Sequence, residues 1–509
     1  MSGKVKGVVA AGHEITAQAA AEILEDGGNA FDAVLAGMAA ACVAETIFSS
    51  LGGSGALMAY QAPRGETLLY DFFAQTPKRK RPPDELDFYA IQADFGPATQ
   101  EFHIGAGSTA VPGFIPGLFA IHGDLCRLPM ERIFEPAVRA ARNGTKISAF
   151  EAYLFTIVES ILTACPEAKE VFAPAGRLLV DGESYRNPAF AQTLEALGRE
   201  GLGLFAEGEL GQAIARQSEE PGGHLTLADL SSYEVIRRPP LTWRHRDWEI
   251  ALNPAPAASG PLIAFGLGLL EKLRPAGAIA DPVLLTHVLK ATVTARAAAG
   301  SAPEQLYQGE MIAEHLKRLE GLSPATRGTT HISVIDSQGN AAGATVTNGE
   351  GNGRMTGAFG FMLNNMLGEE DLNPEGFHLW QPDTRLSTMI APTVMRGPAG
   401  QMVVLGSGGS NRIRSAILQT AVNIIDHGLN LEEAVAAPRI HVEKDGHVSF
   451  ENIFQAAELE QILAAFPDAH GWPDRNLFFG GVHAAQRLSD GTLTGAGDAR
   501  RAGASIRVE

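Results

Sequence analysis

One threonine in this sequence stands where a cut in the chain would turn it into a nucleophile. Residues 321–328 (GLSPATRG) have the composition of an exposed loop, and residues 329–336 (TTHISVID) alternate in polarity like a strand. A threonine hydroxyl is a weak nucleophile, but a cut before Thr329 would place a free α-amine beside it as a base. The same residue types are also typical of an ordinary strand, so this pattern alone leaves both interpretations open.

A second threonine is predicted to lie opposite the first. Residues 337–340 (SQGN) are turn formers, and the residues after them alternate again, which predicts a β-hairpin. With the turn flanked by Asp336 and Asn340, the register places Thr347 opposite Thr329, and a two-residue turn shifts this pairing by one position. The hairpin therefore brings a second hydroxyl to the candidate nucleophile.

A glycine-rich loop is the other feature that could take part in chemistry. Residues 401–405 predict a strand, residues 406–410 (GSGGS) a tight turn, and residues 413–427 an amphipathic helix. Consecutive backbone N–H groups in such a turn form a donor pair for a developing negative charge. The alternative is a dinucleotide-binding loop in a parallel sheet, but Asn411 stands where the third glycine of that fingerprint belongs.

Two familiar hydrolase motifs are excluded. His13 and Glu14 lack the second histidine of a zinc-peptidase helix. Residues 52–56 and 408–412 each lack the last glycine of a nucleophile elbow, the strained turn that carries a catalytic serine in many hydrolases. The threonine and the glycine loop remain the strongest candidates for chemistry.

The composition limits the partners and the setting of the protein. The 509 residues include 40 Lys and Arg against 58 Asp and Glu, a net charge of −18, which argues against nucleic acid or an anionic membrane as a partner. Cys42, Cys126 and Cys165 form neither a disulfide framework nor a zinc-site pattern. The longest uncharged apolar stretch, residues 33–44, is too short to span a membrane, and no signal peptide is recognisable. We therefore expect a cytosolic protein.

The elements that must position these candidates are mostly helices before residue 320 and mostly strands after it. Residues 13–47 predict two helices separated by Gly27 and Gly28, with Asn29 as the N-cap of the second helix. Residues 115–320 predict mostly helix, including a segment at 311–319 just before the loop. Strands are expected to concentrate after that loop.

The sequence resembles the γ-glutamyltransferase family over nearly its whole length. Residues 329–348 (TTHISVIDSQGNAAGATVTN) are similar to the start of the small subunit of these enzymes, which are N-terminal-nucleophile hydrolases made as one chain and self-cleaved before this threonine. Six further motifs occur along the chain in the same order as in the family. They are GGNAFDA at 27–33, LGGSG at 51–55, AVPG at 110–113, LNN at 363–365, LSTM at 386–389 and GAGDARR at 495–501.

The resemblance implies a fold, a division of the chain and a set of catalytic residues. The fold would be α+β, a four-layer αββα sandwich, with a large segment 1–328 and a small segment 329–509 that stay associated after self-cleavage. Thr329 would be the nucleophile, Thr347 the hydroxyl that orients it, and the backbone N–H groups of Gly409 and Ser410 the oxyanion hole. Neither a metal nor an organic cofactor is required.

The substrate-binding positions depart from the family. Ser387 and Thr388 match the pair that holds the substrate's α-carboxylate, but Phe73 stands where the family usually has an arginine for that group. A bidentate arginine contributes about 1.5–3 kcal/mol to such a contact. Of the three positions that hold the α-amine, only the one occupied by Glu369 keeps an acidic group. The other two are Gly349 and Met366.

The resemblance thus predicts an N-terminal threonine amidohydrolase or acyltransferase. Its substrate would be a γ-glutamyl-type or related small amide, cleaved through an acyl-threonine intermediate with water or an amine as acceptor. One alternative is changed specificity, of an oxamate-type or cephalosporin-acylase-like kind, with Arg354 and Arg385 as possible replacements for the missing arginine. An alternative of another class is a processed but non-catalytic scaffold. Association of whole molecules is compatible with each of these.

Overall fold

Two antiparallel sheets packed face to face form the centre of this computed structural model, which describes residues 5–94, 99–273, 280–299, 328–373 and 375–509. In spatial order, the first sheet contains β20 (Ala504–Val508), β1 (Gly7–Ala11), β11 (Thr330–Asp336), β12 (Ala341–Thr347), β2 (Ser54–Gln61), β3 (Glu66–Phe72) and β8 (Ile236–Arg238). The second contains β19 (Leu493–Ala496), β18 (Gly481–Arg487), β14 (Met402–Gly408), β13 (Thr393–Arg396), β10 (Trp248–Leu252) and β9 (Leu241–His245).

Helices cover the outer face of the first sheet. Glu14–Glu25 packs on β1 and β20, and Ala30–Ala44 packs on β11 and β12. All residues of the second helix are buried, which its alanine-rich sequence permits because small side chains let the helix approach the sheet closely. Asn29 caps this helix, as predicted, and forms a capping box with Asp32.

A second helical layer covers the other sheet. Arg412–Ile425 packs on β14 and β18, Ser259–Leu273 packs on β9 and β10, and Pro282–Ala299 packs on Ser259–Leu273. The order of layers is helix, sheet, sheet, helix, so the four-layer αββα prediction is confirmed. The dinucleotide-binding alternative is wrong, because every strand pair in the two central sheets is antiparallel.

The middle of the chain is helical, but it also supplies strands that the sequence pattern did not indicate. β8, β9 and β10 form edges or near-edges of the central sheets, and they are too short to give a clear alternation. The predicted helix at 311–319 and the loop up to residue 327 lie outside the described residues. The other helices are Phe114–Leu125, Met130–Asn143, Ala149–Ile157, Glu159–Leu162, Pro166–Phe172, Pro188–Glu200, Gly203–Ala206, Glu209–Glu219, Leu227–Ser231, Leu431–Ala436 and Ala456–Ala465.

The two central sheets draw strands from both sides of Thr329. In the first sheet β1, β2, β3 and β8 precede this residue, and in the second sheet β9 and β10 precede it. Strands are therefore less concentrated after residue 329 than predicted. The remaining strands form three small sheets: β4 (Tyr89–Asp94) with β5 (Thr99–Ile104), β6 (Thr145–Lys146) with β7 (Ser184–Tyr185), and β15 (Ile440–Val442) with β16 (Val448–Glu451) and β17 (His470–Trp472). In the described part of the chain, no helix is both long and apolar enough to cross a membrane.

Candidate active site

The hairpin that carries both threonines has the predicted register. β11 and β12 pair with Thr330 opposite Val346, one step from Thr329 opposite Thr347. On their outer sides β11 pairs with β1 and β12 pairs with β2. Both candidate residues therefore lie at one end of the central strands of the first sheet, where their positions are fixed from both sides.

Two hydroxyl groups converge on a single carbonyl oxygen at the predicted cleavage point. Thr329 Oγ1 donates to the carbonyl oxygen of Gly328 at 2.7 Å, and Thr347 Oγ1 donates to the same oxygen at 2.7 Å. The backbone N–H of Gly349 donates to Thr347 Oγ1 at 3.1 Å, which fixes the direction of that hydroxyl. The Gly328 carbonyl oxygen thus accepts both from the candidate nucleophile and from a second hydroxyl that polarises it.

A small pocket opens at this carbonyl. Thr329 and Thr347 lie in its wall with exposures of 5% and 7%, so both hydroxyls face a confined space. None of the described lining residues is basic. The lining consists of Phe73, Gly328, Thr329, Thr347, Glu369, Asp371, Leu372, Thr388, Met389, Ile390, Ser410 and Ile413.

The glycine loop reaches the pocket as predicted. β14 ends at Gly408, and Gly409 and Ser410 both have positive φ angles, of 114° and 49°, before the helix that begins at Arg412. Among the described residues neither the Gly409 nor the Ser410 N–H donates to a protein acceptor. Gly408 has no space for a side chain, because a Cβ would collide with the Thr329 carbonyl. The loop therefore lies directly against the nucleophile residue with two N–H groups available to a ligand.

The predicted serine-threonine pair divides between two environments. Thr388 lines the pocket, and its Oγ1 accepts from the N–H of Ile390 at 3.2 Å. Ser387 does not line the pocket, and its Oγ donates to the carbonyl oxygen of Pro256 at 2.7 Å. Thr388 thus reaches the pocket, whereas Ser387 does not line it, and a role of Ser387 in substrate binding stays a prediction.

Phe73 lies in the pocket wall, and Arg385 lies behind it. Arg385 donates to the backbone carbonyl of Phe73, to the Tyr233 hydroxyl and to the carbonyl oxygen of Glu234. Its guanidinium also faces the carboxylate of Asp71 at 3.7 Å. Arg385 thus holds the backbone at Phe73 and does not line the pocket.

The other positions predicted to contact the substrate also differ in their placement. Arg354 pairs with Asp87 at 2.8 Å, so it does not replace the missing arginine. Met366 is fully buried in the core around the second sheet and does not line the pocket. Glu369 is buried and lines it, near Gly349, where a Cβ would meet the Glu369 carboxylate. Glu369 is therefore the one predicted amine-binding residue whose side chain reaches the pocket.

An acidic side chain that sequence reasoning missed anchors the glycine loop. Asp371 Oδ2 accepts from Ser410 Oγ at 3.0 Å and from Asn411 Nδ2 at 3.0 Å. Arg296 donates to Asn411 Oδ1 at 2.9 Å, which ties the same loop to a helix of the outer layer. These contacts join residues far apart in the chain, so no local pattern indicates them.

A buried carboxylate supports the nucleophile strand from the opposite face. Thr330 Oγ1 donates to Glu45, and Thr16 Oγ1 donates to the other oxygen of Glu45 at 2.7 Å. Burial raises the pKa of Glu45 above its ordinary value, although both hydroxyls favour the charged form. Gly12 leaves room for this contact, because a Cβ there would meet both Glu45 and Thr330. Sequence reasoning missed Glu45 as well.

Several characterised proteins are similar to this chain along its length. The acylase ACY 1 proenzyme of Pseudomonas sp. (strain V22) is 29% identical over 534 residues, covering 99% of this chain and 94% of that protein. The glutathione hydrolase proenzyme of Bacillus subtilis (strain 168) is 24% identical over 544 residues, covering 99% of this chain and 91% of that protein.

A solved structure has the same four-layer fold as this chain. The crystal structure of cephalosporin acylase from Bacillus halodurans matches with a TM-score of 0.83 and 22% identity, covering 99% of this chain and 96% of that chain. The family model described as gamma-glutamyltranspeptidase matches residues 16–508. This match spans almost the whole sequence and includes the hairpin, the pocket and the glycine loop described above. The chain therefore belongs to the gamma-glutamyltranspeptidase family of N-terminal-nucleophile hydrolases.

Proposed function

We propose that the protein cuts its own chain between Gly328 and Thr329 and then uses Thr329 to cleave a small amide through an acyl-threonine intermediate. The observation that carries this proposal is the convergence of the Thr329 and Thr347 hydroxyls on the Gly328 carbonyl oxygen. Membership of the family supports it, as do relatives named as proenzymes.

The self-cleavage takes place in two steps. Thr329 Oγ1 attacks the carbonyl carbon of Gly328, the bond from that carbon to the Thr329 nitrogen breaks, and the hydroxyl proton passes to the released amine. Water then hydrolyses the resulting ester, which frees the carboxyl group of Gly328 and restores the Thr329 hydroxyl. The Thr347 hydroxyl stabilises the negative charge that develops on the carbonyl oxygen.

The matured protein uses the same groups on an external amide. The new α-amine of Thr329 accepts the hydroxyl proton while Oγ1 attacks the substrate carbonyl. The N–H groups of Gly409 and Ser410 stabilise the oxyanion, and the proton passes on to the leaving amine. Water or another amine then releases the acyl group from Thr329. No metal or organic cofactor takes part in these steps.

The two segments of the cut chain are expected to stay together. β11 begins the small segment, but its neighbour β1 belongs to the large one, and β12 pairs with β2 in the same way. Separation would break backbone hydrogen bonds and expose the apolar faces of both sheets. The pieces 1–328 and 329–509 therefore form one folded unit.

The pocket favours an acyl group without a terminal carboxylate. Phe73, Leu372, Met389, Ile390 and Ile413 supply apolar surface, and no described lining residue is basic. A γ-glutamyl or oxamate-type donor carries a carboxylate that these residues cannot pair. An acylase-type donor with an uncharged acyl chain fits the lining better, and we propose that the protein prefers such donors. Membership of the family taken alone favours γ-glutamyl transfer or hydrolysis.

A panel of four anilides tests this specificity. The γ-glutamyl, glutaryl, 4-aminobutyryl and butyryl compounds differ only in whether the acyl chain carries the carboxylate, the amine, both or neither. We expect kcat/KM for the two compounds without a carboxylate to equal or exceed that of γ-glutamyl anilide. A loss of 100-fold or more on removing the carboxylate, about 2.7 kcal/mol of transition-state binding, contradicts the proposed specificity.

Restoring an arginine should restore preference for the carboxylate. In Phe73→Arg the new guanidinium would reach the pocket, so the ratio of kcat/KM for γ-glutamyl to butyryl anilide should rise by about 10- to 100-fold, as expected for a charge-assisted pair of about 1.5–3 kcal/mol. Phe73→Met is the matched control, because it changes the shape without adding charge. An unchanged ratio in Phe73→Arg means that the carboxylate binds elsewhere.

A further inference from the structure

Arg501 is a buried cation directed at the nucleophile residue. It ends the short 3-10 helix Ala499–Arg501, its side chain is buried, and Nη1 donates to the carbonyl oxygen of Thr329 at 3.2 Å. Its guanidinium stacks over Phe48 with 5.2 Å to the ring centre. In the described part of the chain it forms no salt bridge, whereas its neighbour Arg500 pairs with Glu451.

The protein makes room for this side chain directly below the glycine loop. A Cβ at Gly481 would lie 2.6 Å from Arg501 Cδ, and one at Gly408 would lie 3.0 Å from Arg501 Nη1. A Cβ at Gly409 would lie 3.3 Å from Nη2. Burial lowers the pKa of Arg501 to about 10, so the charge is held there at an energetic cost. Burying a cation without a salt bridge destabilises the fold, so the presence of Arg501 at this position indicates a functional role.

The contact between Arg501 and Thr329 would survive the cut. The proposed cleavage breaks the bond on the nitrogen side of Thr329, whereas Arg501 holds the carbonyl on the other side. The α-amine and the carbonyl oxygen of one residue are only about 3–4 Å apart, so the guanidinium lies close to the new amine. A nearby positive charge disfavours protonation of an amine.

Several other charged groups surround the same residue. Glu350 accepts from the N–H of Gly328 at 3.3 Å, and the carboxyl groups in the pocket face it as well. Negative charges favour protonation of an amine, which would abolish its action as a base. The groups concerned are Glu350, Glu369 and Asp371 on the pocket side, Glu45 behind Thr330, and Arg412, Arg439, Asp498 and Arg501 near the glycine loop.

We propose that Arg501 is a positioning residue that holds the Thr329 carbonyl in place and keeps the α-amine of matured Thr329 uncharged near neutral pH. This inference rests on the proposed function, since the amine exists only after the cut. This role explains why a guanidinium is buried here, because the amine must be uncharged to accept the proton of the Thr329 hydroxyl.

The pH dependence of the activity tests the electrostatic part of this role. In Arg501→Met the midpoint of the acidic limb of kcat/KM should rise by about one pH unit. At a pH well below the wild-type midpoint kcat should therefore fall by about 10-fold, since one pH unit changes the fraction of uncharged amine about tenfold there, and KM should change little. At neutral pH the loss should be smaller, about 3- to 5-fold. Arg501→Lys keeps the charge and should lie close to the wild type. The matched control is Arg414→Met, which removes a buried arginine whose hydrogen bonds go to Thr292, Asn411 and Val442.

Reaction of the amine with cyanate gives a second measurement that does not depend on turnover. The rate of carbamylation of Thr329, followed by peptide mapping over a range of pH, reports the fraction of uncharged amine, and the α-amine of the large piece is an internal standard. We expect the midpoint for Thr329 to rise in Arg501→Met and the standard to stay constant. An unchanged Thr329 midpoint overturns the inference while leaving the proposed function intact.

The maturation of the variants separates the remaining outcomes. If Arg501→Met stays a single chain and Arg501→Lys matures, the positive charge acts before the amine exists, and the role assigned to it in the matured protein is wrong. If both variants stay single chains, the site requires the shape of arginine rather than its charge, and the inference is wrong. If the wild type itself stays a single chain, the proposed function fails and the inference fails with it.

Discussion

Thr329→Ala should remain a single chain of 509 residues without amidase activity, because it lacks the oxygen that attacks the Gly328 carbonyl. Intact-mass measurement on the purified protein decides this, since the wild type should give two pieces. Thr330→Ala is the matched control on the neighbouring residue. Its hydroxyl contacts Glu45 on the opposite face of the strand, so this variant should still mature. Cleavage of Thr329→Ala at the same bond would show that another group attacks.

Thr347→Ala should slow maturation by about 10²–10³-fold, the usual cost of removing one donor to a developing oxyanion. Thr347 Oγ1 is one of only two side-chain donors to the Gly328 carbonyl among the described residues, and the other is the nucleophile itself. The measurement is the rate at which the single chain disappears after synthesis, followed by mass.

Thr347→Ser controls for the loss of the methyl group, because it keeps the hydroxyl and should mature at a rate near that of the wild type. The same pair of variants tests the alternative of a non-catalytic scaffold. A scaffold would show no amide turnover in the wild type or in either variant. Equal maturation rates in Thr347→Ala and the wild type would contradict the role assigned to this hydroxyl.

The sequence was sufficient to predict the parts of the site that lie close together in the chain. The hairpin register follows from the position of its turn, so the sequence alone places Thr347 opposite Thr329. The N-cap at Asn29 and the strand, turn and helix around Gly409 follow from equally local patterns. The fold and the family came from the resemblance of motifs spread along the chain.

The parts that the sequence did not predict depend on contacts between distant segments. The anchoring of Ser410 by Asp371 joins two loops 39 residues apart, and Glu45 reaches Thr330 from 285 residues away. The hydrogen bond from Ser387 to Pro256 joins residues 131 positions apart, and a motif match does not reveal it. The cytosolic setting stays a prediction.

The most direct test of the central claim is to determine the N-terminal sequence of the small piece in the purified wild-type protein. We expect two associated pieces, 1–328 and 329–509, with the smaller beginning Thr-Thr-His-Ile-Ser-Val. The same preparation should hydrolyse at least one anilide of the panel. A single, intact chain of 509 residues that hydrolyses these amides at full rate would contradict the account, because Thr329 would then have no free amine to act as its base.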